Sequence, residues 1–357
     1  MTTRMKQFFN KPHHAIKKPS QFLFCHFPNS NMASNPLTSV DGRDLKGLKN
    51  LTIVYLGSCT LNAIPANFLY FVPNLKEMYF ADNKLQGIPH YLLASASNLK
   101  IFDSSGNDIR KLSADTFETN TKLLTVGLDH NNLTTLPESL FNSNSNLGSI
   151  FLKANRLQFL PGRLFSRTKM LSASHLSYNE LKEIPEQLFE SLHHLTYLNL
   201  KSNKLVRICK TCFRELHQLK TLNLAKNNLS FLPDYLFART VLLETLDLAN
   251  NNIKELPDGL FHSVNKTHSL SELYLQGNQL MHLSAKIFRG LEKLRTLCLF
   301  NNRIETIEDG VFTSNVMRQV FLFDNKLHEV SINSFQSVAI ADISSSIIVW
   351  QTYKGKV

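Results

Sequence analysis

One asparagine recurs along this chain at a fixed interval, and that interval limits the possible folds more than any other feature. On the string L-x-x-L-x-L-x-x-N-x-L the Asn position falls at Cys59, Asn83, Asn107, Asn131, Asn155, Asn179, Asn203, Asn227, Asn251, Asn278, Asn302 and Asn325. Nine of the eleven spacings are 24 residues; the exceptions are 27 before Asn278 and 23 before Asn325. A period of this size marks a stack of supersecondary units rather than independent globular domains. Units such as LLTVGLDHNNLTTLPESLF (Leu123–Phe141) and LKTLNLAKNNLSFLPDYLF (Leu219–Phe237) are near copies of one another.

The pattern has a mechanical reading. Within L-x-L the alternation has period two, so this stretch is a short strand with leucines facing inward and the x residues outward. One strand per unit at constant spacing stacks into a long parallel sheet. The next leucine and the Asn fall where the chain leaves the sheet. A buried amide there can bond backbone groups of neighbouring units as a ladder, and losing one rung leaves buried polar groups without partners, at about 1–3 kcal/mol each. At the first full rung Cys59 stands in as a small, weakly polar substitute. The return half, L-P-x-x-L-F, carries Pro65, Pro89, Pro137, Pro161, Pro185, Pro233 and Pro257, which suit a backbone with no ladder donor to lose. Phe117, Phe141, Phe165, Phe189, Phe213, Phe237, Phe261, Phe288, Phe312 and Phe335 recur once per unit, an aromatic column under the convex side that needs no cofactor to explain it.

The expected organisation is an α/β solenoid of about 12 full repeats over residues 27–350, with a parallel sheet on the concave face and loops or short helical turns on the convex face. Degenerate caps are expected at 27–50, where Asn35, Leu37, Val40 and Leu45 hold the pattern, and at 340–350, where Ile340, Ile343, Ile348 and Trp350 do. Caps shield the apolar ends of a stacked core. Residues 1–26 read as a basic, disordered segment and 351–357 as a tail.

The consensus LxxLxxLxLxxNxLxxLPxxLF resembles the typical 24-residue class of leucine-rich repeat, over about nine-tenths of the chain. Extracellular animal proteins of this class include Toll-type receptor ectodomains, Slit-like guidance proteins, lamprey variable lymphocyte receptors and secreted insect immune proteins. The resemblance implies a horseshoe, an extracellular, secreted glycoprotein, and recognition of another protein, whether ligand or co-receptor, in receptor-like, innate-immune or adhesion roles. Relatives of this kind share a scaffold and bind different things, so fold alone does not name the ligand. The flanking cysteine clusters of such arrays are missing, as is a clear signal peptide. These departures favour the alternative, an intracellular adaptor or regulatory scaffold in the cytoplasm.

In such solenoids the outward strand residues line the concave, ligand-binding face. The centre of that face offers Asp103, Asp129, Lys153, His175 and Lys201. The C-terminal quarter gathers Tyr274, Phe300, Phe321 and Phe323 where the pattern predicts exposure. Exposed aromatics give large contact area at low entropic cost, so this end is the predicted protein-binding patch, including a homo- or hetero-oligomer contact. The alternative is that the segment 338–357 or a dimer partner simply covers it. Glycosylation sequons begin at Asn50, Asn132, Asn228 and Asn265, the last within the three-residue insertion, which is expected to form a rim loop.

Little else carries chemistry. Cys209 and Cys212 form C-x-x-C but align with the Pro and Leu of other units, so packed thiols, or one local disulfide in a secreted protein, are the plainer reading than redox or zinc chemistry. Cys298 falls on an outward position and reads as a free thiol. His13-His14 and His193-His194 are adjacent pairs whose side chains point apart on an extended chain, which suits chelation poorly. No Ser/His/Asp set, phosphate loop or HExxH motif rises above the repeat background, so neither enzyme, cofactor nor metal is expected. Of the net charge of +11, residues 1–50 contribute eight Lys/Arg against Asp41 and Asp44, and a solvated head is favoured over a polyanion-binding one, with no specific nucleic-acid site expected. Gln21–Phe27 is too short for a secretory core, and no run approaches the roughly 18 apolar residues of a membrane span.

Overall fold

A 24-residue coil with one three-residue strand can close its backbone hydrogen bonds only by lying against copies of itself, and that is how this chain is built. The computed structural model describes residues 29–263, 267–312 and 317–335. The segment 1–26, the C-terminal cap at 340–350, the tail at 351–357 and Asn265 lie outside the described residues. The strands are β1 (Asn29–Asn31), β2 (Ile53–Tyr55), β3 (Glu77–Tyr79), β4 (Ile101–Asp103), β5 (Thr125–Gly127), β6 (Ser149–Phe151), β7 (Ala173–His175), β8 (Tyr197–Asn199), β9 (Thr221–Asn223), β10 (Thr245–Asp247), β11 (Glu272–Tyr274), β12 (His282–Leu283), β13 (Thr296–Cys298), β14 (Thr306–Ile307) and β15 (Gln319–Phe321). All but β12 and β14 form one thirteen-stranded parallel sheet in chain order.

Register follows the repeat. Ile53 pairs with Glu77, Glu77 with Ile101, and so on, each central residue buried. Across the 27-residue spacing Thr245 still pairs with Glu272, so the register of the sheet is kept. The N-terminal strand β1 pairs Asn29 with Ile53, which places residues 29–50 as a first coil against the array.

Every coil leaves the sheet through a left-handed residue. The position before each ladder residue, from Ser58 to Asp324, has φ between +53° and +69°. That conformation is disfavoured for any residue other than Gly, and here it is occupied by Tyr178, Ala154 and Lys226 among others. The compensation comes from the next residue. Asn179 Oδ1 accepts from Leu157 N at 3.1 Å, while its Nδ2 donates to Leu152 O at 2.8 Å in the preceding coil and to Leu176 O at 3.1 Å in its own. The same bonds recur from Asn83 through Asn107, Asn131, Asn155, Asn203, Asn227, Asn251, Asn278 and Asn302 to Asn325, the last only half-buried.

At the first rung the thiol of Cys59 lies 3.4 Å from Met32 O, in the donor half of the pattern. Sulfur is a poor acceptor, and Leu37 N, which an Asn there would engage, bonds Asn35 O instead at 2.8 Å.

The convex path contains no α-helix among the described residues. Its prolines open single tight turns, Leu140 N to Pro137 O and Leu164 N to Pro161 O, both 3.1 Å, and 3-10 turns form at Gly42–Leu45 and Ile332–Phe335. Two residues separate Pro137 from the buried Leu140, and two separate Pro161 from Leu164, so each turn closes before a helix, whose nucleus alone is costly, can propagate. Behind these turns Phe117 stacks on Phe141 (5.8 Å between centroids), Phe213 on Phe237 (6.1 Å) and Phe312 on Phe335 (4.8 Å). A short second ladder runs beside that column. Asn120 donates to Leu93 O and Ala96 O, and Asn144 to Phe117 O and Asn120 O, at 2.9–3.1 Å. Both amides are fully buried. One continuous apolar core, from Leu45 to Leu322, fills the space between the sheet and these turns.

Candidate functional site: the concave face

The inward leucines are consumed by the core, so chemistry is left to the outward rows. At the C-terminal end Phe300 and Phe323, on consecutive coils, stack face to face at 4.5 Å with an interplanar angle of 9°. Both are half-buried, as is Phe321. Tyr274 is separated from Phe321 by Cys298 in the same row, since β11, β13 and β15 are neighbours. Its hydroxyl donates to Glu272 Oε2 at 3.1 Å, and burial together with that carboxylate pushes the phenol up to about 12. The four aromatics are therefore one stacked pair with two flanking rings, rather than a single cluster.

Cys298 corrects an expectation. It occupies an outward position, but it is a free cysteine that is buried, at 6% exposure, between the rings of the adjoining strands. Burial first, then Asp247 and Glu272, push its thiol up to about 11, which makes it a poor nucleophile. The short side chain sits at the floor of the row while Tyr274 and Phe321 rise on either side.

The centre of the face is wired more tightly than the sequence suggests. Asp103 Oδ1 accepts from Ser105 N at 3.0 Å and leans over Gly127, where a Cβ would approach it to 2.6 Å. Asp129 Oδ1 accepts from Lys153 N at 2.6 Å, and burial raises its pKa against that bond. Lys201 N donates to Asn199 Oδ1 at 3.0 Å. His175 lies between Phe151 (4.6 Å) and Tyr197 (4.7 Å), and burial, aided by the Lys153 charge, lowers its pKa. The ammonium of Lys153 meanwhile caps the Tyr178 ring at 5.6 Å.

Sequence reading picked out His175 and missed its two ring partners. Tyr197 stands in the first outward row and His175 in the second, so the run crosses rows and no single column reveals it. A second pair, Tyr55 on Tyr79 at 4.8 Å, was legible as two tyrosines at the same position of adjoining units. Asp247 was likewise passed over. It accepts from Asn223 Nδ2 at 3.0 Å and Ala249 N at 3.1 Å, and burial raises its pKa.

Of the sequon asparagines, Asn50 and Asn228 are exposed, whereas Asn132 is half-buried with its amide 3.3 Å from Asp108 Oδ1. Cys209 and Cys212 are joined in a disulfide on the convex side. Among the described residues no group of three His, Cys, Asp or Glu side chains is placed to hold a metal, and no helix is long and apolar enough to cross a membrane.

A continuous parallel sheet with an open outward face and an interior already filled is the architecture of a protein-binding repeat scaffold. The profile of the leucine rich repeat family matches residues 175–229, 217–271 and 268–327, and that of the BspA type leucine rich repeat region matches 18–147 and 62–192. The chain belongs to the leucine-rich repeat family. Among solved structures it is similar to a chain of the Toll–Spatzle complex of Drosophila, at 31% identity and a TM-score of 0.75, over 81% of this chain and 38% of that one. The chain thus spans about two-fifths of that relative. An LRR protein of Leptospira interrogans matches at 25% identity and a TM-score of 0.67, over 83% of this chain and 78% of that chain. The leucine-rich repeat domain of APL1B, at 21% identity and a TM-score of 0.72, covers 90% of this chain and 87% of its own and shows the fold alone. No curated protein sequence is matched.

Proposed function

We propose that this chain is an extracellular recognition module of receptor-like, innate-immune or adhesion type, which binds another protein through the C-terminal end of its concave face. The observation that carries the reading is the Phe300–Phe323 stack, two flat rings held parallel at 4.5 Å on an open surface. A pre-stacked pair presents a rigid apolar plate that loses little entropy on contact, which is how aromatic hot spots operate. Extracellular residence is supported by the Cys209–Cys212 disulfide, a bond kept in oxidising compartments. Exposed sequon residues Asn50 and Asn228 and the likeness to a chain of the Toll–Spatzle complex support it too.

Two measurements test the reading. Cells expressing the chain with its natural upstream sequence are expected to release it into the medium with a sugar-dependent mass shift; an unglycosylated product confined to the cytosol rejects extracellular residence. Phe300→Ser with Phe323→Ser is expected to reduce capture of protein from conditioned medium, and sedimentation shows whether the captured species is a second copy. The stack contributes about 0.5–1.5 kcal/mol beyond its buried area, so the double variant keeps its fold. Undiminished capture, or collapse of the fold, refutes the assignment.

A further inference from the structure

The flank that leads into the sheet bears a charge arrangement that folding does not explain. Lys76 and Lys100 immediately precede β3 and β4, and Lys100 N bonds Lys76 O at 2.7 Å, so the two residues lie side by side on neighbouring coils. Parallel strands are about 4.8 Å apart, and like charges set directly opposite one another are destabilising. The same two positions further along hold Lys220 and Glu244, ion-paired at 3.3 Å. Near the N-terminal end no acid plays that part. Lys49, Lys76, Lys100 and Lys122 are exposed, and none forms an ion pair among the described residues. Lys122 Nζ instead bonds Asn98 Oδ1 at 2.7 Å.

Asn74, beside Lys76, and Asn146, one coil beyond Lys122, have amides already committed on one side. Asn74 Nδ2 donates to Lys49 O at 2.9 Å and Asn146 Nδ2 to Thr121 O at 3.2 Å, each reaching back one coil. Both residues are exposed, and among the described residues no hydrogen bond engages either Oδ1, which leaves each free to accept. The row therefore offers exposed cations with acceptors beside them, along one edge and over consecutive coils.

We propose that this row, Lys49, Lys76, Lys100 and Lys122, binds an extended anionic polysaccharide. Sulfate or carboxylate groups supply the missing counter-charge for the side-by-side lysines, and sugar hydroxyls donate to the Asn74 and Asn146 oxygens. Single-stranded nucleic acid fits less well, because its binding sites combine cations with aromatic platforms, and the residue that follows Lys76 and Lys100 at the same position of the next coil is the exposed Leu124. A DNA backbone also brings no hydroxyl donors for the amide oxygens. The site is separate from the concave face and does not depend on the reading given above.

Binding of full-length chain to heparin, to the same polymer desulfated, to duplex DNA and to acidic-lipid vesicles, each over a salt series, tests the proposal. Lys76→Gln, Lys100→Gln and Lys122→Gln combined keep the side-chain stems and remove the charges. The triple variant is expected to bind heparin on the order of tenfold more weakly at low salt, with the slope of log affinity against log salt shallower by about 2. Its melting temperature should hold or rise, because a like-charge pair has been removed. Desulfated polymer, which keeps its carboxylates, should bind the parent chain more weakly than heparin does and lose less on passing to the variant. The proposal is overturned if heparin affinity is unchanged, or if the loss follows Lys11, Lys17 and Lys18 of the basic head or Arg295 and Arg318 instead. DNA or vesicles that bind as tightly, with the same dependence on these lysines, would also overturn it.

Discussion

Replacing Asn179 by Ala removes one rung from the middle of the ladder, and the structure fixes how many groups are orphaned. The Asn179 amide touches four backbone groups: Leu157 N, Leu152 O, Leu176 O and Ser177 O. The three carbonyls all have second donors. Leu152 O also accepts from Asn155 Nδ2 at 3.2 Å, Leu176 O from Asn203 Nδ2 at 2.9 Å, and Ser177 O from Ala154 N at 2.9 Å. Only the Leu157 N–H is left with nothing. An unsatisfied buried donor costs about 1–3 kcal/mol, and the two N–H donors of the Asn179 amide surrender about 1 kcal/mol net each, so the loss is about 3–5 kcal/mol.

Asn325→Ala provides the comparison, because its rung has the same bonds at a half-exposed site where water can replace them. A loss below about 1 kcal/mol is expected there. Asn179→Asp keeps the acceptor for Leu157 N but sets a charged oxygen against three carbonyl oxygens, so at neutral pH it should destabilise more than Ala does. Urea unfolding followed by circular dichroism gives the three values, and hydrogen exchange at the Leu157 amide reports whether that group is the one released. Equal costs for Asn179→Ala and Asn325→Ala, or a Leu157 amide as protected as in the parent chain, would refute the shared-carbonyl account.

Two further outcomes follow from the convex side. His268 is 2% exposed with Nε2 unpartnered, and burial lowers its pKa; its folded pKa lies below the unfolded value, so the unfolded chain binds the proton first and stability falls as pH drops through about 6.5, by up to about 1.4 kcal/mol per pH unit. Thermal unfolding between pH 7.5 and 5 should show that slope and His268→Phe should flatten it, whereas an equal slope in the variant dismisses the role. Breaking the Cys209–Cys212 disulfide by Cys209→Ser should cost about 2 kcal/mol from loop entropy alone, because the closed loop is so short; parent and variant melting together under oxidising conditions would show that the bond contributes nothing.

The parts of this fold that were legible are those where one residue type answers one physical demand. Leucines at period two and an asparagine every 24 residues leave few alternatives to a stacked parallel sheet, because an amide supplies two donors and an acceptor at once at the coil exit. The left-handed turn before each rung was only partly legible. Asp82, Gly106, His130, Asn250, Gly277, Asn301 and Asp324 are types that tolerate it, but Tyr178, Ala154 and Lys226 are not, and Ser58 adopts it before Cys59, where no amide follows. The second ladder at Asn120 and Asn144 is too short to register as a period. Burial of Cys298 depends on the size of its neighbours in adjoining coils, and the Phe151–His175–Tyr197 run depends on rings leaning across rows. Alternation reports which side of the strand a residue occupies, and it is silent about who leans over it.

That division of labour also accounts for how one scaffold can serve separate ligands. The inward positions and the ladder satisfy the backbone completely, coil against coil, so outward rows are released from any part in folding beyond solubility. Where an outward row is nevertheless ordered, the order needs another cause. The central concave acids and amides are tied to the adjacent backbone, as Asp103 is to Ser105 N and Lys201 N is to Asn199, and that local bonding is cause enough. Neither the Phe300–Phe323 plate nor the Lys76–Lys100 pair has a local cause of that kind, and the second opposes folding outright. They lie eight strand steps apart, about 40 Å at sheet spacing, one on the concave face and one on the flank. At that distance the solenoid transmits little between them, since each coil contacts only its neighbours. The lysine pair costs folding energy and the aromatic plate does not, so the two surfaces are separable, and a partner of its own for each is what the two proposals above require.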